Sequence, residues 1–121
     1  MARILIIDDE PIIRDVLKDI LEREGCEIVA ASDGKDGIKI HQENPADLII
    51  TDLIMPEKEG IETIMELRRD SQDVKIIAMS GGGKIYPNTY LQIAKTVGAV
   101  ETLAKPFDLK KLLKTVQEVL E

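Results

Sequence analysis

The chain has 121 residues, a length that suits one compact domain, and its 44% hydrophobic content is enough for a core and too much for a disordered chain. With 16 basic against 23 acidic side chains the formal charge is −7, which argues against non-specific binding to nucleic acid or anionic lipid. The single cysteine, Cys26, excludes an internal disulfide and fits a reducing compartment, and no apolar run approaches the ~20 residues of a membrane span or forms the h-region of a signal peptide. A cytoplasmic protein of one domain, residues 1–121, with no membrane partner is expected.

Residues 3–7 are a β-branched run that stops at Asp8-Asp9-Glu10. Apolar on both faces, it reads as a buried strand of a parallel sheet. Pro11 suits the first helical position, with the acids before it favourable at a helix N-terminus. Ile12, Ile13, Val16, Leu17, Ile20 and Leu21 form one helical face, and Gly25 is a stop. Residues 27–31 are a second strand, with Cys26 at its start read as a small buried hydrophobe. Ser32-Asp33-Gly34 turns into a weaker helix over 34–43, where Gly37 costs about 1 kcal/mol relative to Ala. His41, near its end, is explained as a cation at a helix C-terminus. With no other His and no Cys nearby it is not expected to bind metal.

Residues 47–51 form the third strand, which delivers Asp52 to a turn beginning Leu53-Ile54-Met55-Pro56. An Asp before such a turn is ordinarily only a turn or capping residue. A helix follows over about 58–70, with Ile61, Ile64, Met65 and Leu67 inward. Residues 74–79 are the fourth strand, ending at Ser80, and Gly81-Gly82-Gly83 opens a long connection. The fourth helix spans about 87–97, with Gly98 at its end. Residues 100–104 are the fifth strand, ending at Lys105-Pro106. Asp108 caps the last helix, which carries Leu109, Leu112, Leu113, Val116, Val119 and Leu120 on one stripe.

Five strands alternating with five helices imply a parallel sheet covered on both faces, with right-handed crossovers. In such folds the site lies beyond the carboxyl ends of the strands. Asp8 and Asp9, Asp52, Ser80 and Lys105 all stand there. Three crowded carboxylates repel, and each tends to keep its proton. A divalent cation relieves this, and hard oxygen ligands with room for water suit Mg²⁺. A lysine and a hydroxyl opposite can meet an oxyanion. The set suits a phosphoryl group, with a carboxylate as nucleophile.

On Ile6-Ile7-Asp8-Asp9-Glu10, Thr51-Asp52-Leu53-Ile54-Met55-Pro56, Met79-Ser80-Gly81 and Ala104-Lys105-Pro106-Phe107, the chain resembles a response regulator receiver domain of two-component signalling, of the stand-alone, chemotaxis-regulator kind. The resemblance covers essentially the whole chain. It implies a doubly wound, flavodoxin-like (βα)5 fold with strand order 2-1-3-4-5. It implies that Asp52 accepts a phosphoryl group from a phosphohistidine on a sensor histidine kinase or a histidine phosphotransfer protein. Asp9, Asp52 and the Ile54 carbonyl would bind Mg²⁺ directly, with Asp8 acting largely through water. Lys105 would pair with the phosphate, Ser80 would donate its hydroxyl to it, Gly81 would leave room for it, and Pro106 would aim Lys105. The output surface would be the fourth helix, fifth strand and fifth helix, read by a downstream target protein. Such a chain catalyses its own phosphorylation and dephosphorylation without turning over a separate substrate, so it is not an enzyme in the usual sense. Ile54 and Gly82 would flank the phosphate and influence its hydrolysis.

The sequence departs from the family pattern at Thr102, where many receivers carry an aromatic switch residue. Thr102 is either a strand residue or a polar switch. The segment from Gly81 to Pro87 is either a surface loop or an element that reorders on phosphorylation and carries Tyr86 to a partner. Flavin phosphate would be repelled by Asp8-Asp9-Glu10. A P-loop is excluded by Ile85 after Lys84 and by Ala78 five before Gly83. An aspartate-nucleophile phosphatase would need an acid where Ile54 stands. The remaining rival is a phosphorylation-independent interaction module with the same fold. No DNA-binding element follows the last helix, so direct DNA binding is not expected.

Overall fold

The computed structural model describes residues 2–53, 60–80, 92, 94–105 and 108–121. Along the chain run β1 (Arg3–Ile7), α1 (Pro11–Arg23), β2 (Glu27–Ala31), α2 (Gly34–Glu43), β3 (Leu48–Asp52), α3 (Gly60–Asp70) and β4 (Lys75–Ser80). Residues 92 and 94–97 are helical (α4), and β5 (Glu101–Ala104) and α5 (Leu109–Leu120) complete the described elements. The five strands form one parallel sheet in the order β2-β1-β3-β4-β5. This is the doubly wound, flavodoxin-like order, with its switch point between β1 and β3.

β3 is buried at every residue, polar Thr51 and Asp52 included, and its apolar start at Leu48–Ile50 suits a central strand. Alternate side chains serve two cores. Leu5, Ile7, Ile49, Ile76 and Ala78 pack with Ile38 of α2, Ile64 and Leu67 of α3 and Ala94 of α4. Ile4, Ile6, Leu48, Ile50, Ile77 and Met79 pack with Leu17 and Leu21 of α1 and Leu112 and Val116 of α5. Each of the buried Ile, Leu, Val and Met side chains contributes about 1.5–3 kcal/mol relative to exposure. Cys26 is half-buried against the second core, its thiol pushed up by burial and then by the neighbouring charge of Glu24, which suits its packing role.

Asp108 caps α5 as expected, and Asp33, in the expected turn, caps α2. Asp33 accepts a hydrogen bond from the Asp36 N–H at 2.8 Å, and Asp108 from the Lys110 N–H at 3.1 Å. Gly25 ends α1 at φ +88° and Gly98 ends α4 at φ +139°. Gly37 is explained by packing. A Cβ there would meet the Ile7 side chain, so its absence lets α2 lie close to β1.

Several expectations are corrected. Ile12 is 75% exposed, and Val16, Met65 and Leu109 are also exposed. Helical spacing defines a stripe, but the sheet covers only its middle, and these residues fall outside it. His41 is no solvated C-terminal cation. It is buried, its Nδ1 accepts the Ala46 N–H at 3.0 Å, and burial holds its pKa below the ordinary value. A ring that accepts at Nδ1 is neutral with its proton on Nε2.

Candidate functional site

Parallel strands of similar length end together, so register alone assembles the site. Ile7 pairs with Thr51, Asp52 with Met79, and Ser80 with Ala104. Asp8, Asp52, Ser80 and Lys105, each at the tip of a different strand, are thereby brought to one edge of the sheet. Asp8, Asp52 and Ser80 are buried there.

Lys105 is the hub. Its Nζ lies 2.7 Å from Asp8 Oδ2, 3.5 Å from Glu10 Oε1 and 3.7 Å from Asp52 Oδ2. Its side chain is 10% exposed. Burial works to lower the ammonium pKa. The hydrogen bond to Asp8 and the charges of Asp52, Asp8 and Glu10 outweigh it and hold the group above its ordinary 10.5. Lys105 therefore stays charged. Its main chain is fixed as well, because its N–H donates to the Ser80 carbonyl at 2.8 Å.

Asp52 is placed by β3 and by the turn that follows. Its Oδ1 accepts the Leu53 N–H at 3.0 Å. Burial pushes its carboxyl up to about 6; Lys105 pulls it down, Asp8 pushes it up, the Leu53 N–H pulls it down and Asp9 pushes it up. Gly60, the first residue of α3, lies against the Asp52–Leu53 backbone, and its N–H donates to the Leu53 carbonyl at 2.8 Å. A Cβ at Gly60 would collide with the Asp52 carbonyl and the Leu53 Cα.

Asp8 is the most tightly held acid. Its N–H donates to the Ala31 carbonyl at 3.1 Å, its Oδ1 accepts the Glu10 N–H at 2.9 Å, and its carbonyl accepts Arg14 Nη1 at 2.7 Å. Carboxylate oxygens of Asp8, Asp9 and Glu10 lie within 4.8 Å of one another, with Asp9 and Glu10 exposed. Such a hard, anionic, oxygen-only donor set fits a magnesium ion.

Of the remaining candidates, Thr102 is half-buried in β5 and pairs with Ala78. It is therefore on the face covered by α3 and α4. Ile54, Gly81 and Pro106 lie outside the described residues, as do Gly82, Tyr86, Pro87, the turn at Met55-Pro56, and the starts expected for the third and fourth helices. Glu10, Gly60 and Arg14 are contacts that sequence reasoning missed. Glu10 was visible in the acidic run. Gly60 and Arg14 act through backbone approach and a main-chain carbonyl, which leave no spacing signal.

The fold and this edge define a doubly wound α/β protein whose acids and lysine meet at the switch point. The family model "Response regulator receiver domain" matches residues 4–117. Chemotaxis protein CheY of Bacillus subtilis is 33% identical over 119 residues, covering 98% of this chain and 97% of that one. A probable C4-dicarboxylate response regulator, DctR, of the same organism is 30% identical over 118 residues, and this chain spans about half of it (51%). The crystal structure of a response regulator receiver domain protein from Clostridium thermocellum superposes with a TM-score of 0.91 at 31% identity, covering 99% of this chain and 94% of that one. The chain belongs to the response regulator receiver domain family of two-component signalling. Members of this family are signalling proteins rather than conventional enzymes. No helix among the described residues is long and apolar enough to cross a membrane.

Proposed function

We propose that residues 1–121 form one cytoplasmic receiver domain that takes a phosphoryl group onto Asp52 from a phosphohistidine, on a sensor histidine kinase or a histidine phosphotransfer protein. The observation that carries the reading is Lys105 Nζ set between two buried carboxylates, 2.7 Å from Asp8 and 3.7 Å from Asp52. One acid is held tightly by the cation and the other loosely, so the looser one is free to react.

An oxygen of the Asp52 carboxylate forms the new P–O bond as the donor's P–N bond breaks. The imidazole leaves with the electron pair and takes a proton from solvent. Lys105 moves its charge from the Asp52 carboxylate to a phosphoryl oxygen. Ser80 offers its hydroxyl to another. Asp9 and Asp52, with the Ile54 carbonyl, would hold Mg²⁺ directly, while Asp8, already bonded to Lys105 and to the Glu10 N–H, would act largely through water. When bound, the ion supplies charge neutralisation on the transferring oxygens. Gly81 would leave room for the phosphate and Pro106 would aim Lys105.

The phosphoryl group then biases a two-state equilibrium. Ser80 and Lys105 are joined by a main-chain hydrogen bond and stand immediately before the α4 and α5 sides of the sheet. Their displacement would alter the α4, β5 and α5 surface, including Thr102, that a downstream target protein reads.

The test is incubation with Mg²⁺ and acetyl phosphate, read by mass, and with beryllofluoride, read by amide exchange. Wild type should gain one phosphoryl group, Asp52→Asn none, and exchange over 80–105 should change with beryllofluoride. If wild type gains no mass and beryllofluoride has no effect, the chain is a phosphorylation-independent interaction module instead.

A further inference from the structure

Asp9 and Glu10 are exposed side chains, so where their carboxylates stand depends on how the β1–α1 turn is held. Among the described residues, one side chain outside the acidic cluster bonds the backbone of that turn. Arg14, half-buried on α1, donates Nη1 to the Asp8 carbonyl at 2.7 Å. Its own N–H donates to the Glu10 carbonyl at 3.1 Å, the first hydrogen bond of α1. The residue therefore spans the turn at both ends. Its backbone starts the helix and its side chain returns to the last peptide before Asp9.

We infer that Arg14 is a positioning residue for the magnesium site: by fixing the Asp8–Asp9 peptide from behind, it holds the Asp9 carboxylate in place beside that of Asp8. This role rests on the phosphoacceptor reading above. The side-chain chemistry suits it. A guanidinium is planar, always charged and carries several donors, so it locks a peptide oxygen with less residual freedom than an ammonium. A bond from a charged donor to a carbonyl is stronger than a neutral one. The positive charge, one peptide away from three clustered carboxylates, also offsets part of their mutual repulsion. Partners that orient ligand groups in this way change metal affinity by about 10–100-fold when removed. A single contact to a main-chain oxygen belongs at the low end of that range.

The test uses the full chain as wild type, Arg14→Gln and Arg14→Lys. Magnesium affinity is measured by calorimetry, the fold by thermal unfolding, and the rate of phosphorylation by acetyl phosphate as a function of Mg²⁺. Arg14→Gln should weaken Mg²⁺ binding about tenfold, while its rate at saturating Mg²⁺ returns to within about threefold of wild type. Arg14→Lys, which keeps the charge and one donor, should recover part of the affinity and decides the matter if the Gln variant does not fold. A merely structural role predicts lower thermal stability with unchanged magnesium affinity, and that result would overturn the inference. So would a rate that stays depressed tenfold at saturating magnesium. If wild type binds no magnesium, the phosphoacceptor reading fails, and this role with it; if wild type binds and both variants match it, only the role of Arg14 fails.

Discussion

Replacing Asp52 by Asn should stabilise the metal-free protein. The carboxyl is buried, and its pKa is pushed from the ordinary 3.8 to about 6, with burial as the main cause. At 1.36 kcal/mol per pH unit, ionised Asp52 costs the fold about 3 kcal/mol at neutral pH. That figure already includes the help of Lys105 at 3.7 Å. Asn keeps an oxygen for the Leu53 N–H and removes the charge, so most of the cost should be recovered, about 2–3 kcal/mol. For a chain of this length that corresponds to about 8–12 °C in Tm. The dependence on pH follows from linkage. An unfolded Asp52 ionises through pH 3.8 and the folded one through about 6, so between them the folded state holds the extra proton. The Asp52 contribution to wild-type stability therefore declines as pH rises across that window and stays lowered above it, and the difference from the Asn variant isolates it. The two proteins should coincide near pH 4 and reach their full separation above about pH 6. The assay is urea unfolding in EDTA at several pH values, repeated with Mg²⁺. Bound ion stabilises wild type by about 2.7 kcal/mol at a hundred times its Kd, which would close the gap. An Asn variant no more stable than wild type at pH 7.5 in EDTA, or a gap that persists at pH 4, refutes the reasoning.

Gly60→Ala should cost about 1–3 kcal/mol or more, because the added methyl meets backbone at Asp52–Leu53, and it should slow phosphorylation. Gly37→Ala meets the side chain of Ile7, at Cδ1 and Cγ1, rather than backbone, and gains helix propensity, so it should cost less than Gly60→Ala; urea unfolding showing the reverse order would contradict both placements. His41 should titrate below its ordinary 6.5 in a proton NMR titration, and because the unfolded state takes up the proton first, its own contribution to stability should fall as pH drops below 6.5, opposing that of Asp52. The stability of wild type relative to His41→Asn should therefore fall with pH below 6.5, and a difference that does not vary with pH would count against the buried neutral ring. Lys75 Nζ donates to the Val119 carbonyl at 2.7 Å near the end of α5, so Lys75→Met should lose about 0.5–1.5 kcal/mol and speed amide exchange in the last turn. Unaltered exchange there would show that the contact contributes nothing.

The middle of the sheet was readable because β1, β3 and β4 are buried on both faces. Residues 4–7 and 48–50 have no polar interruption, so their ends are marked by the first acids, and those ends are the candidate site. Asp8, Asp52, Ser80 and Lys105 follow from that rule without any knowledge of contacts. Helix faces were less readable. Ile12 and Met65 fit the spacing of buried neighbours, yet whether the sheet reaches them depends on how each helix is rotated. His41 illustrates the same point for polar groups. Its burial depends on Pro45-Ala46 turning the Ala46 N–H towards its ring, a partner that local chemistry does not announce. Gly60 and Arg14 contribute through close approach to a backbone and a bond to a peptide oxygen, which composition and periodicity do not encode.

The bond between Lys105 and Asp8 joins residues 97 apart in the chain. β5 is a short edge strand, the kind of element that ordinarily frays independently of the sheet. Here fraying would withdraw the cation from Asp8, leaving a fully buried carboxylate with its charge uncompensated, at a cost of about 3–5 kcal/mol. The edge is thereby tied to the centre, so that β5 should open only when the whole sheet opens. A partly unfolded chain would then lack the proposed phosphoacceptor site, and on that proposal only molecules with both Asp8 and Lys105 in place would carry a signal.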